Sequence, residues 1–95
     1  MARSDMQKKI GMLTPRQKVI LRLVSLGCDS GEIAEILDVA PSTVNNHRTN
    51  LMSTLGVNKA AVLTRLAIKY KISPLEDRLS AKEKRLSGRS SDGWN

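Results

Sequence analysis

Apolar residues at Val19, Ile20, Leu23, Val24 and Leu26 form a stripe of helical period along the first third of the chain. Thr14 precedes Pro15, and Gln17 stands three residues after Thr14, which makes a T-x-x-Q capping box with proline at the first helical position. Gly27 is a natural stop. The pattern predicts a helix over about 15–26. The same logic repeats at once. Asp29 and Glu32 form a second capping box, and Ile33, Ala34, Ile36 and Leu37 supply one apolar face, predicting a short helix over 30–37. Asp38, Val39 and Ala40 connect it to Pro41, which can open a third helix. Val44, Leu51 and Leu55 share one side of that helix, predicted over 41–55 and closed by Gly56. A fourth helix over about 59–71 carries Ala60, Ala61, Val62, Leu63, Leu66, Ala67 and Tyr70, a wider apolar surface than one core face needs.

The flanks carry weaker patterns. Residues 1–12 read as a flexible basic arm, and residues 13–72 as one folded unit. Residues 73–95 read as a charged, disordered tail with a marginal helix over 75–87. Leu75, Leu79 and Leu86 have coiled-coil-like spacing there, but a polar residue, Lys82 or Glu83, interrupts the seam. No internal repeat is visible.

Composition fixes the class. With no phenylalanine, one tyrosine and one tryptophan in 95 residues, the core must be aliphatic, which suits packed helices better than a sheet. The expected fold is all-α. The net charge of +7 is concentrated on residues 14–72, where eight basic residues face four acidic ones. A basic compact domain points to a polyanion, nucleic acid first. The lone Cys28 forms no internal disulfide, and no apolar run approaches a membrane span, so the expected location is cytoplasmic. Catalysis is not expected: there is one histidine and one cysteine, no glycine-rich phosphate loop, and Cys28 and His47 are too few ligands for a metal. No cofactor is implied.

A short helix, a three-residue turn and a longer helix make a helix-turn-helix, in which the second helix enters the major groove and the first braces it. Val39 reads as the plug between the two helices, and Ala34 is small enough for their close approach. The longer helix also holds Asn45, Asn46 and Asn50, although asparagine is a poor helix former. Asparagine can bond adenine at N6 and N7 together, so these residues point to base reading. A solvated polar face is the plain alternative.

The segments LTPRQKVILRLVSLG, EIAEILDVAPSTVNNH and LMSTLGV, in this order and spacing, resemble the LuxR-type (GerE-type) helix-turn-helix domain. The resemblance covers residues 13–72 and implies a four-helix LuxR-type domain with flexible basic N- and C-terminal tails. It implies a bacterial transcriptional regulator that binds specific double-stranded DNA sequences with the third helix in the major groove. By match to the family's positions, Asn45, Asn46 and Thr49 are candidate base contacts, and Asn50 is a less well placed fourth. Ser42 and Thr43 are candidate phosphate contacts at the helix start, Thr43 through its hydroxyl and nearby free amides. His47 is either a phosphate donor or a packed histidine. Arg48 reaches phosphate or pairs with an acid of the second helix, and Lys59 is a further phosphate contact. The fourth helix often supplies a dimer contact in this family, which makes Val62, Leu66 and Tyr70 candidates for a homodimer. RNA polymerase is a separate candidate partner of the regulator that the resemblance implies.

The chain departs from the family pattern. Ala40 replaces the usual serine cap, and Asn45, Thr54 and Ala60 replace basic residues, so fewer counterions are released per domain. Such domains usually follow a receiver or sensor domain, whereas only 12 residues precede this one, which leaves a stand-alone member or a fragment. Two other readings stay open: a helix-turn-helix module that binds protein without specific DNA binding, and a promoter reader like sigma-factor region 4. The latter usually has an arginine-rich third helix, which this chain lacks.

Overall fold

The computed structural model describes residues 5–90. Six helices lie among them: α1 (Asp5–Gly11), α2 (Pro15–Ser25), α3 (Ser30–Leu37), α4 (Pro41–Leu55), α5 (Ala60–Lys69) and α6 (Ala81–Ser87). There is no strand among the described residues. None of these helices is long and apolar enough to cross a membrane.

Local chemistry sets the boundaries. Thr14 Oγ1 accepts from the Gln17 amide at 3.1 Å, and Gln17 Oε1 accepts from the Thr14 amide at 2.9 Å. Asp29 and Glu32 close the same reciprocal box on α3, at 2.8 and 3.0 Å. At the end of α2, Gly27 takes φ +86° while the Cys28 amide reaches back to the Leu23 carbonyl and the Gly27 amide to that of Val24. That is a Schellman stop, with Leu23 and Cys28 both buried beneath it. The L-G-V segment ends α4 in the same way: Gly56 sits at φ +70°, and Val57 donates to the Met52 carbonyl and turns in toward the core. The turn of the helix-turn-helix is made by Asp38 at φ 56°, a conformation that aspartate tolerates better than most residues.

α2 is the central helix. It packs on α5 and α4, while α3 packs on α4 and α6, and α1 packs on α4. Ile20, Leu21, Leu23, Ile33, Val44, Leu51, Leu55 and Leu63 are buried to within about a per cent of completely. Leu21 lies outside the expected stripe, and Val19, inside it, is 40% exposed. The stripe is rotated because α2 has neighbours on several sides instead of one. Ala34 is buried, and Val39 is half-buried against the core, as their places at the turn require. Ile36 and Leu37 are only partly buried.

Both flanks differ from expectation. Residues 5–11, read as part of a flexible arm, form α1, because Ile10 and Leu13 are buried in the common core at 5% exposure each. A lysine-rich segment of this kind gains a fixed position once two apolar side chains leave water. Residues 1–4, the rest of that arm, lie outside the described residues. The segment after Ser73 is likewise anchored. Leu79 is buried, Ser80 and Glu83 make a third capping box, and α6 covers 81–87 in place of the wider helix over 75–87. Leu75, Leu79 and Leu86 make no common seam, since Leu75 is 77% exposed and Leu86 39%. Expected disorder at the C-terminal end falls partly on residues 91–95, outside the described residues.

Candidate nucleic-acid interface

A helix turning about 100° per residue puts Val44, Leu51 and Leu55 on one line and the side chains of 42, 45, 46, 49 and 53 opposite them. The structure has this arrangement. Val44, Leu51 and Leu55 are buried, while Ser42, Thr43, Asn45, Asn46, Thr49 and Asn50 are all exposed. Asn45, Asn46 and Thr49 share the outward face, and Thr43 and Asn50 lie toward one edge of it. His47 and Arg48 are half-buried at the margins between the two faces. Lys59 is exposed at the residue before α5. α4 contains no acidic residue, whereas α3 and its flanks hold Asp29, Glu32, Glu35 and Asp38.

The first turn of α4 is less open than expected. Ala40 gives no side-chain cap. The Thr43 amide donates to the Ala40 carbonyl at 3.0 Å and so is not available to a ligand. Pro41 has no N–H, which leaves the Ser42 amide as the first-turn donor with no backbone bond among those described.

Arg48 pairs with neither acid of α3 among the described ion pairs. Its Nη1 donates to Ser30 Oγ at 3.0 Å, and Ser30 Oγ donates to Asn45 Oδ1 at 2.6 Å. The first residue of α3 thus ties two side chains of α4 together. No local sequence signal marks Ser30, because its partners stand 15 and 18 residues away and only the crossing of the two helices brings them close. Beside it, Arg48 lines an open pocket of about 290 Å³ with Val24, Asp29, Ala60 and Thr64.

Cys28 is buried, and burial pushes its thiol up from the ordinary value; Arg89 Nη1, 3.6 Å from Sγ, pulls the other way without prevailing. Such a thiol is a poor nucleophile. No group of three or more metal-ligating side chains occurs among the described residues.

Comparison with known proteins agrees with this architecture. The family model for bacterial regulatory proteins of the luxR family matches residues 3–67, which takes in α1 and ends within α5. The chain is 42% identical over 60 residues to the transcriptional regulatory protein MctR of Rhizobium johnstonii, covering 63% of this chain and 28% of that protein. It is 30% identical over 76 residues to the transcriptional regulatory protein FixJ of Azorhizobium caulinodans, covering 80% of this chain and 36% of that one. Against the oxygen regulatory protein NreC of Staphylococcus aureus the identity is 38% over 61 residues, covering 64% and 28%. The chain therefore spans about a third of the length of these relatives. No solved structure matches it significantly. The helix pair α3–α4, the outward polar face of α4 and the match over residues 3–67 lead to one conclusion: the chain belongs to the luxR family of bacterial regulatory proteins and carries that family's DNA-binding helix-turn-helix.

Proposed function

We propose that this chain reads a specific double-stranded DNA sequence on behalf of a bacterial transcriptional regulator, with α4 seated in the major groove. The observation that carries the reading is the exposed, acid-free polar face of α4, backed by a fully buried apolar line. Asn45, Asn46, Thr49 and Asn50 meet base edges, where one good bidentate contact discriminates by about 1–3 kcal/mol. Ser42, Thr43, His47, Arg48 and Lys59 meet the phosphate backbone and set the register. Thr43 acts there through its hydroxyl and Ser42 through its amide, given the bond that engages the Thr43 amide.

The partner proposals follow from the same reading. A second copy docks through α5, and RNA polymerase is the larger partner. Leu66 and Tyr70 pack partly on the core, so the outward apolar surface of α5 rests on Val62 and on Ile68, which is 38% exposed.

Amide chemical-shift mapping with mixed DNA duplexes tests the reading. Shifts concentrated at residues 42–50 and at Lys59 are expected. A response elsewhere with α4 undisturbed would favour a protein-binding use of the fold.

A further inference from the structure

We infer that Ser30 is a positioning residue that fixes the orientation of the Asn45 amide, so that Asn45 meets its base as a hydrogen-bond donor. The inference rests on the DNA-reading face proposed above and says which bases one of its residues selects.

The argument is one of hydrogen-bond polarity. Arg48 Nη1 lies 3.0 Å from Ser30 Oγ, and a guanidinium has donors only, so Oγ accepts there. A serine hydroxyl has a single hydrogen, and its other near partner is the Asn45 amide at 2.6 Å. That separation suits an O–H···O bond, which spans about 2.5–3.0 Å, and is short for N–H···O at about 2.7–3.2 Å. Reversing the Asn45 amide would press an N–H against Oγ and leave the hydroxyl hydrogen without this partner. The carbonyl end of Asn45 is therefore drawn to α3. Its NH₂ end is left for a ligand on the exposed face.

The consequence is chemical. Adenine recognition by asparagine uses both ends of the amide, one accepting from N6 and one donating to N7. Oδ1 keeps a second lone pair, but the Ser30 bond turns it toward α3, so Asn45 leads with its NH₂ and favours an acceptor edge: guanine, with O6 and N7, or thymine, with O4. Cytosine offers only a donor there and is disfavoured. Asn46 has no such bond among those described and keeps both ends for adenine. Two adjacent asparagines thus have different preferences because one of them is held from the neighbouring helix.

Selection of the full chain on a pool of randomised duplexes tests this. Asn45→Ala identifies the base position that depends on Asn45. The wild-type chain should select guanine or thymine there. Ser30→Ala should shift that position toward adenine by about tenfold in relative affinity, with the other positions unchanged. Ser30→Thr, which keeps a hydroxyl, should retain the wild-type choice. In the free protein, ¹⁵N relaxation of the Asn45 side-chain amide should show order that Ser30→Ala removes. The same base choice and the same amide order in Ser30→Ala would overturn the positioning role while leaving DNA reading intact. Loss of order in Ser30→Ala without any duplex selected by the wild-type chain would overturn the DNA reading itself, and the assigned base preference with it.

Discussion

Arg22 on α2 grips Asp77, 55 residues later, through two hydrogen bonds: Nε to Oδ2 at 2.8 Å and Nη2 to Oδ1 at 3.3 Å. The guanidinium continues to Glu83 Oε2 at 2.7 Å and to the Arg78 carbonyl at 2.9 Å, and the Ser73 hydroxyl donates to Asp77 at 2.9 Å. Arg89 adds a second tie, with Nε 3.4 Å from Glu32 and Nη1 3.4 Å from the Leu26 carbonyl. The segment after Ser73 lies beyond the residues that match the family model, yet these contacts fasten it to α2 and α3.

Arg22→Met should therefore act at a distance. It strands two partly buried carboxylates, so a loss of about 1–3 kcal/mol is expected by denaturant unfolding. Hydrogen exchange across α6 should accelerate more than exchange across α2. Uniform acceleration would show that α6 is held by something other than this arginine.

Asp77 and Glu83 make the clasp sensitive to acid. Burial works against the charged form of each, but the hydrogen bonds from Arg22, with Ser73 on Asp77 and Ser80 on Glu83, outweigh it and hold both carboxyls below their ordinary values. Folded values below the unfolded ones mean that the contribution is complete above the ordinary carboxylate range. It drains as pH falls through the depressed values. Stability followed by circular dichroism should hold from neutrality to about pH 5 and decline below about pH 4. Arg22→Met should have a shallower decline, because only the Ser73, Arg78 and Ser80 hydrogen bonds then favour the charged carboxyls.

The two leucines of the C-terminal segment separate its anchor from its surface. Leu79 is 5% exposed and Leu75 77%. Leu79→Ala should cost about 2–3 kcal/mol in urea unfolding, and Leu75→Ala less than about 0.5 kcal/mol. Equal small effects would mean that the segment contributes nothing to the core.

Gly56 tests the end of α4. Its φ of +70° disfavours any side chain, while an added Cβ would meet only Lys9 Nζ, at 3.9 Å, an ordinary contact. Gly56→Ala should then cost about 1–2 kcal/mol from the backbone alone. A larger loss would indicate that the α1 contact is displaced as well.

On DNA, Asn46→Ala and Lys59→Ala should behave differently. The first should lower discrimination at one base position by about 1–3 kcal/mol. The second should weaken binding to every duplex alike and reduce the salt slope by about 0.9 per lost phosphate contact. Binding titrations at several salt concentrations, on matched and mismatched duplexes, measure both.

Helix boundaries were the most legible feature of the chain. Thr14–Gln17, Asp29–Glu32 and Gly56 are local signals, since each cap forms from residues a few positions apart, and α3 and α4 occupy the expected spans. The polar face of α4 was legible for the same reason: helical period alone separates it from Val44, Leu51 and Leu55. The stripe does not predict burial at Val19 and Leu21, because periodicity marks one direction around a helix and α2 has several neighbours. The order of the described flanks is not legible locally, because it rests on a few apolar residues in polar surroundings, Ile10, Leu13 and Leu79, that find a common core.

The amino-acid order alone determined the all-helical class, the helix pair α3–α4 and the identity of the outward side chains on α4, because caps and periodicity act within one or two turns. Only the tertiary structure decided that Arg22 holds the C-terminal segment and that Ser30 orients Asn45. Those bonds join residues 55 and 15 positions apart, and a directional hydrogen bond at such separation exists only once packed helices bring its two ends within 3 Å.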